Sequence, residues 1–414
     1  VTTTAPALAA LSAADQLARA LADPTTVWPS GRPDGIRAWP QSLAGGASGI
    51  ALLHIERARA GLGDWGTAHT WLATAVHGEV SAAANANLYF GAPAIAYITH
   101  RAANASGRYL RVQQRLDRAI FTITRNRLAE SHQRINRAER PPMEEFDLIQ
   151  GLSGLGAYHL SRHPHHEITR DVLAYLVRLT EPLPDPAGLP PWWMNVAPTG
   201  SAHTDYPGGH GNFGLAHGIG SALSVLSLAL LRDLAVPGMV DAVERISAWT
   251  DQWRQGDRTA PWWPGYISMQ QATDNHVHPA LRPRPSWCYG VSGTARAQQL
   301  AGLALRDPAR VQAAENAILA PLRDPLQLDK LPEIGLCHGM AGLLHAAWRM
   351  AAETDNTEIA GELPQLADRL ITALDQDDHD PELLDGAAGA ALALHTFGTG
   401  CAPAPHWDTF LALA

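Results

Sequence analysis

Leu336-Cys337-His338-Gly339-Met340-Ala341-Gly342 leads directly into the apolar run Leu343–Met350. The same arrangement, a glycine, two residues, usually a second small residue and then an Ala/Leu-rich run, occurs seven times. The copies are Gly46-Ala-Ser-Gly49, Gly91-Ala-Pro-Ala94, Gly151-Leu-Ser-Gly154, Gly218-Ile-Gly-Ser221, Gly290-Val-Ser-Gly293, Gly339-Met-Ala-Gly342 and Gly386-Ala-Ala-Gly389. Their first glycines are 45, 60, 67, 72, 49 and 47 residues apart, enough for one helical hairpin each. A glycine at a helix start permits a tight turn, and a second one a turn later lets a neighbouring helix come close. Runs such as Ala390–Leu394 suit helices buried nearly all round, whereas Asp307–Leu319 and Glu362–Leu374 carry charges at helical intervals and read as outer helices. β-branched alternation is scarce. The chain is therefore expected to be all-α, an α/α toroid (a double-ring α-barrel) of seven helical hairpins with glycine-marked turns, forming one domain over residues 1–414. An open helical solenoid would give the same periodicity, but its repeats usually keep a constant length, and apolar inner helices need a closed ring to hide them.

Composition bounds the function. The 414 residues are 46% hydrophobic and 17% charged, and 31 basic against 40 acidic side chains leave a formal charge of −9. No basic stripe interrupts that balance, which argues against a nucleic-acid partner. Val1–Ala22 reads as an amphipathic helix broken by Asp15 and Arg19, unlike a signal peptide. Ile219–Leu231, the longest apolar stretch, is too short to span a bilayer. Three cysteines exclude a disulfide framework and suggest a reducing, cytoplasmic setting.

Aligning the copies on their first glycine collects the chemistry. Cys288 and Cys337 each stand two residues before it, and His217 and His338 one before it. Asp147 lies four before Gly151 and Arg284 six before Gly290. All fall in turns entering inner helices, so all are expected at one mouth of the barrel. Two thiolates and an imidazole with a fourth position open are the ligand pattern of a catalytic zinc ion, and helix starts favour the thiolate form. A lone cysteine is more often a small core residue. Two in identical register, one beside a histidine, point to Cys288, Cys337 and His338 as metal ligands.

His217 reads either as a core histidine or as a group near the metal that does not bind it. Asp147 and Arg284 read either as a buried ion pair or, with His217, as an acid/base set. Cys401, in a Pro/Gly-rich stretch, is a bystander. His163, His165 and His166, and His276 and His278, lack the glycine register and read as surface residues. Trp192-Trp193 and Trp262-Trp263 read as corner packing.

Together, Arg284-Pro-Ser-Trp287-Cys288-Tyr289-Gly290, Cys337-His338-Gly339, Ala216-His217-Gly218 and Asp147-Leu-Ile-Gln-Gly151 resemble the lanthionine synthetase C-like proteins, specifically the stand-alone lanthipeptide cyclases. The resemblance covers nearly the whole chain. It implies an α/α toroid with zinc (Zn2+) at its mouth that adds peptide cysteine thiols to dehydroalanine or dehydrobutyrine, closing thioether rings. Carried across, Cys288, Cys337 and His338 would hold zinc, and Asp147, His217, Arg284 and Tyr289 would be the acid/base residues around it. The implied partners are a dehydrated precursor peptide, a dehydratase and an exporter, in a cytoplasmic assembly peripheral to the membrane. The second turn departs from the pattern, with Pro93 where a small flexible residue is usual. Some relatives carry an inserted domain between the second and third repeats. Here residues 101–145 occupy that place, with an Arg-rich helical pattern unlike a β-containing module. Two other functions fit the same turns: addition of glutathione to dehydrated residues in proteins, and a non-catalytic, zinc-bound scaffold.

Overall fold

The computed structural model describes residues 4–28, 39–103, 108–184, 188–376, 378–401 and 406–414. Among these are fourteen helices of 11 residues or more. Seven begin immediately after the first glycine of a repeat: α2 (Ala47–Arg59), α4 (Ala92–Ala102), α6 (Leu152–Arg162), α8 (Ile219–Leu231), α10 (Val291–Leu305), α12 (Met340–Thr354) and α14 (Ala387–Thr399). The other seven are α1 (Ala5–Ala20), α3 (Trp65–Ala75), α5 (Leu110–Asn136), α7 (Glu167–Arg178), α9 (Met239–Gln252), α11 (Pro308–Leu322) and α13 (Thr357–Leu374). Residues 101–145 contribute α5 and the one-turn helix Met143–Phe146.

The two sets differ in burial as their sequences require. Every residue from Ala47 to Ala58 of α2 is buried, including Ser48, His54 and Glu56. In α13 only Ile359, Leu363, Leu366, Ala367 and Leu370 are buried, a single stripe at helical spacing.

The glycines are needed for space more than for backbone freedom. Six of the seven cap their helices with negative φ, and only Gly91, in the turn that departs from the pattern, has φ +74°. A methyl group on Gly290 would stand 2.1 Å from the carbonyl oxygen of Arg284, and one on Gly386 2.1 Å from that of Asp380. One helical turn on, methyls on Gly293, Gly342 and Gly389 would each meet a carbonyl of their own turn at 2.0 Å. The second glycine thus serves chiefly to fold the turn back against the helix, and only secondarily to admit a neighbour, such as Leu383 against Gly49.

The chain divides into two compact units, Val1–Ile120 with Pro325–Asp408, and Phe121–Asp324 with Thr409–Ala414. In the first, backbone hydrogen bonds join successive glycine turns: Leu43 N to Tyr89 O (2.8 Å), Cys337 N to Leu384 O (2.8 Å) and Leu384 N to Ala44 O (3.0 Å). The last of these ties the seventh turn to the first, a contact that an open solenoid does not make. The N-terminal helix α1 packs along α14 and α13, and α14 lies on α2. Among the described residues, the helix that pairs with α14 is therefore α1, from the other end of the sequence. Asp408 is fully buried against α12, bonded to His345 (2.7 Å) and bidentately to Arg349.

In the second unit α6 pairs with α7, α8 with α9 and α10 with α11, and α8 packs on both α6 and α10. The same turn-to-turn bonds recur, from Leu148 N to Ala216 O (3.0 Å) and from Ala216 N to Cys288 O (3.3 Å). The final residues are buried against this unit: Ser224 donates to Ala412 O, Trp287 Nε1 to Leu411 O and Arg296 to Leu413 O. Among its described residues a short antiparallel pair, β1 (His210–Asn212) with β2 (Tyr266–Ser268), and the isolated bridges Met194–His210 and Gln255–Trp262 depart from the helical pattern.

Candidate functional site

The turn-to-turn ladder explains why the register of the sequence carries chemistry. In six of the seven turns the residue two before the glycine is bonded through its backbone to a neighbouring turn, and in the third the bond comes from Leu148, three before. Cys288 holds this position in the second unit, buried, with its carbonyl bonded to Ala216 N and its Sγ 3.6 Å from the Ser286 hydroxyl. Its neighbour Trp287 is fully buried and anchored to Leu411. Cys337 holds the equivalent position in the first unit, bonded through its amide to Leu384.

The residue one before the glycine points less deeply inward. His217 is 26% exposed at its side chain, and His338 28%. In the second unit His217 Nδ1 bonds to Oδ2 of Asp147 at 2.6 Å. Asp147 is buried, and its other oxygen accepts the amides of Gln150 and Gly151, each at 2.7 Å. A carboxylate fixed by two amides sets both the position and the tautomer of the imidazole that it faces. Tyr289 stacks beside His217, with ring centroids 6.0 Å apart and planes 29° apart. Its ring is seated where Gly214 offers no side chain, since a methyl there would stand 2.8 Å from Tyr289 Cδ1. Arg284 begins the same turn, its carbonyl accepting the amide of Ser286 at 2.8 Å.

Two residues with a place here escaped the reading of the sequence. Asp385 lies one before Gly386, the register position of His217, Tyr289 and His338, and its Oδ1 faces His338 Nδ1 at 3.3 Å. Gly335 permits this, because a methyl there would stand 2.5 Å from Asp385 Cα. Strict attention to register would have found it. Arg127, from the Arg-rich stretch, donates to the Gln150 carbonyl in the Asp147 turn. Burial pulls its guanidinium below the ordinary value, and the nearby Asp147 carboxylate opposes that pull. No sequence signal marks Arg127, since it reaches the turn from a helix outside the register.

The remaining candidates fall where expected, with one refinement. Cys401 is exposed, as are His276 and His278. Trp192, Trp193, Trp262 and Trp263 are all buried. His165 is exposed, but His163 and His166 pack around Phe121, and His166 also caps α7 by accepting the amide of Ile168.

Comparison with known proteins places these turns in context. The family model of lanthionine synthetase C-like proteins matches residues 37–411. The chain belongs to that family. The nisin biosynthesis protein NisC of Lactococcus lactis subsp. lactis is 24% identical over 318 residues, 75% of this chain and 73% of that protein. A solved structure of a nisin cyclase superposes with a TM-score of 0.75 at 20% identity, covering 92% of this chain and 93% of the other. That likeness establishes the fold, and the α/α toroid read from the glycine repeats is the fold of this member of the lanthionine synthetase C-like family. No helix among the described residues is long and apolar enough to cross a membrane.

Proposed function

We propose that the protein is a zinc-dependent lanthipeptide cyclase, which adds the cysteine thiols of a dehydrated precursor peptide to dehydroalanine or dehydrobutyrine to form lanthionine and methyllanthionine rings. The observation that carries the proposal is the His217–Asp147 pair, a carboxylate-held imidazole in the glycine register of a lanthionine synthetase C-like chain. The whole chain, 1–414, would act as one domain, with 101–145 joining the second and third repeats.

The donor chemistry suits zinc. Cys288, Cys337 and His338, each at its register position in its own unit, supply the sulfur and nitrogen donor types that zinc takes. Two thiolates and an imidazole make three protein ligands, the number that leaves a coordination position for substrate. The Asp385 carboxylate behind His338 is the companion that metal-binding imidazoles usually keep. Zinc bound there supplies Lewis acidity that makes a thiol a thiolate at neutral pH.

The surrounding residues would manage the proton. As sulfur bonds to the β-carbon of the dehydro residue, its C=C π electrons shift toward the carbonyl, giving an enolate. His217 then delivers a proton to the α-carbon, and Asp147 stabilises the imidazolium that precedes delivery and orients the ring afterwards. Arg284 would stabilise the enolate oxygen, and Tyr289 holds the flank of the imidazole. The thiol proton lost at the start balances the proton gained at the α-carbon, so the ring closes without change in mass. An upstream dehydratase would supply the dehydro residues, and an exporter would take the product.

The test is to incubate the purified protein with a dehydrated, cysteine-containing peptide and follow free thiol and mass together. Loss of thiol at constant mass supports the cyclase. Thiol loss only with added glutathione, and with a matching gain in mass, favours glutathione addition. No reaction under either condition leaves the scaffold.

A further inference from the structure

Beside the His217–Tyr289 stack stands an exposed aromatic step. In β2, Ile267 turns into the core and Tyr266, one residue earlier, turns outward and is 39% exposed, as strand alternation demands. Its ring is edge-on to Tyr289, with centroids 6.4 Å apart. On its other sides stand Tyr206 at 5.7 Å and His210 at 6.2 Å. The strand beneath is rigid: Gly265 O accepts the amide of Phe213 at 3.0 Å, and Phe213 stacks on Trp249 at 4.1 Å. Burial, and then a hydrogen bond to Tyr266, push the Tyr206 phenol above its ordinary value.

Such a pair offers what a peptide needs at a binding surface. Tyrosine supplies a large, stiff contact at low entropic cost, with a polar tip for backbone groups. A dehydroamino acid is planar at its α- and β-carbons and lies readily on an aromatic face. The step is also continuous with the site, since Tyr266 touches Tyr289 and Tyr289 stacks on His217. Resting on the cyclase reading above, we propose that Tyr266 and Tyr206 form a docking subsite for the dehydrated precursor peptide, seating residues next to the reacting dehydro residue on their rings and its backbone on their hydroxyls.

The zinc-loaded full chain provides the test, with wild type, Tyr266→Ala and Tyr266→Phe assayed on a dehydrated cysteine peptide. A small thiol with N-acetyl-dehydroalanine amide serves as the untethered pair. Tyr266→Ala is expected to raise KM for the peptide about tenfold with kcat largely kept, lowering the ratio of peptide to small-pair kcat/KM by about the same factor. Tyr266→Phe is expected to recover most of that loss, because the ring remains. A peptide KM equal to wild type in Tyr266→Ala overturns the proposal, as does an equal loss on peptide and small pair. Wild type that closes no ring on the peptide defeats the cyclase reading itself, a result distinct from either.

Discussion

His217 Nδ1 and Asp147 Oδ2, 70 residues apart in sequence, are joined by a 2.6 Å hydrogen bond between the third and fourth glycine turns. The bond depends on the backbone clip Leu148 N to Ala216 O, which sets one turn beside the other. Asp147 has little choice of rotamer, because two amides hold its other oxygen.

That relationship predicts separate effects of its two partners. His217→Ala should retain metal and lose about 10²–10⁴ in kcat, the usual contribution of a positioned acid or base. Asp147→Asn keeps an acceptor for the Gln150 and Gly151 amides but turns the imidazole tautomer against its role, so kcat should fall while KM changes little. Steady-state kinetics with metal analysis checks both.

Asp385→Asn should weaken zinc retention by about 10- to 100-fold, the usual effect of losing the carboxylate behind a ligand histidine. The fold should persist, because Asp385 is only partly buried and its side chain is not part of the helix core. Competition with a chelator reads the affinity directly.

Much of this was legible in the sequence because it is local. Each of the seven glycines immediately precedes an inner helix, and alignment on them alone puts Cys288, Cys337, His338 and His217 in shared register. The pairing of α1 with α14 was not legible, since nothing in either helix names a partner nearly four hundred residues away. Nor was the reason for glycine, which is a carbonyl packed where a side chain would stand. Arg127 and Tyr266 were hidden for a similar cause: each reaches its place from an element outside the repeat.

Gly342→Ala tests that packing reason. The new methyl would meet the Leu336 carbonyl at 2.0 Å, so the turn carrying Cys337 and His338 must shift. A loss of about 1–3 kcal/mol or more is expected in denaturant unfolding, together with reduced zinc content. Gly361→Ala, where a methyl meets no atom within 4 Å, is the control and should leave both near wild type.

Acid sensitivity should have a component from His395. It is buried in α14 with no hydrogen-bond partner for either ring nitrogen among the described residues, and burial, followed by the Arg57 charge, lowers its pKa to about 4. The unfolded chain takes up a proton near pH 6.5 and the folded chain does not, so stability present above that pH is lost as pH falls from about 6.5 to about 4. The contribution is on the order of 3 kcal/mol at most. His395→Leu should flatten that part of the stability profile, measured by urea unfolding at a series of pH values.

The most direct measurement is ring closure before and after metal removal. The purified protein should carry about one zinc per chain. It should convert a dehydrated, cysteine-containing peptide to a product of equal mass with no free thiol, stop when zinc is stripped and recover when zinc is restored. Ring closure that continues undiminished after zinc is removed, or zinc content unaltered in Cys337→Ala, would contradict the account.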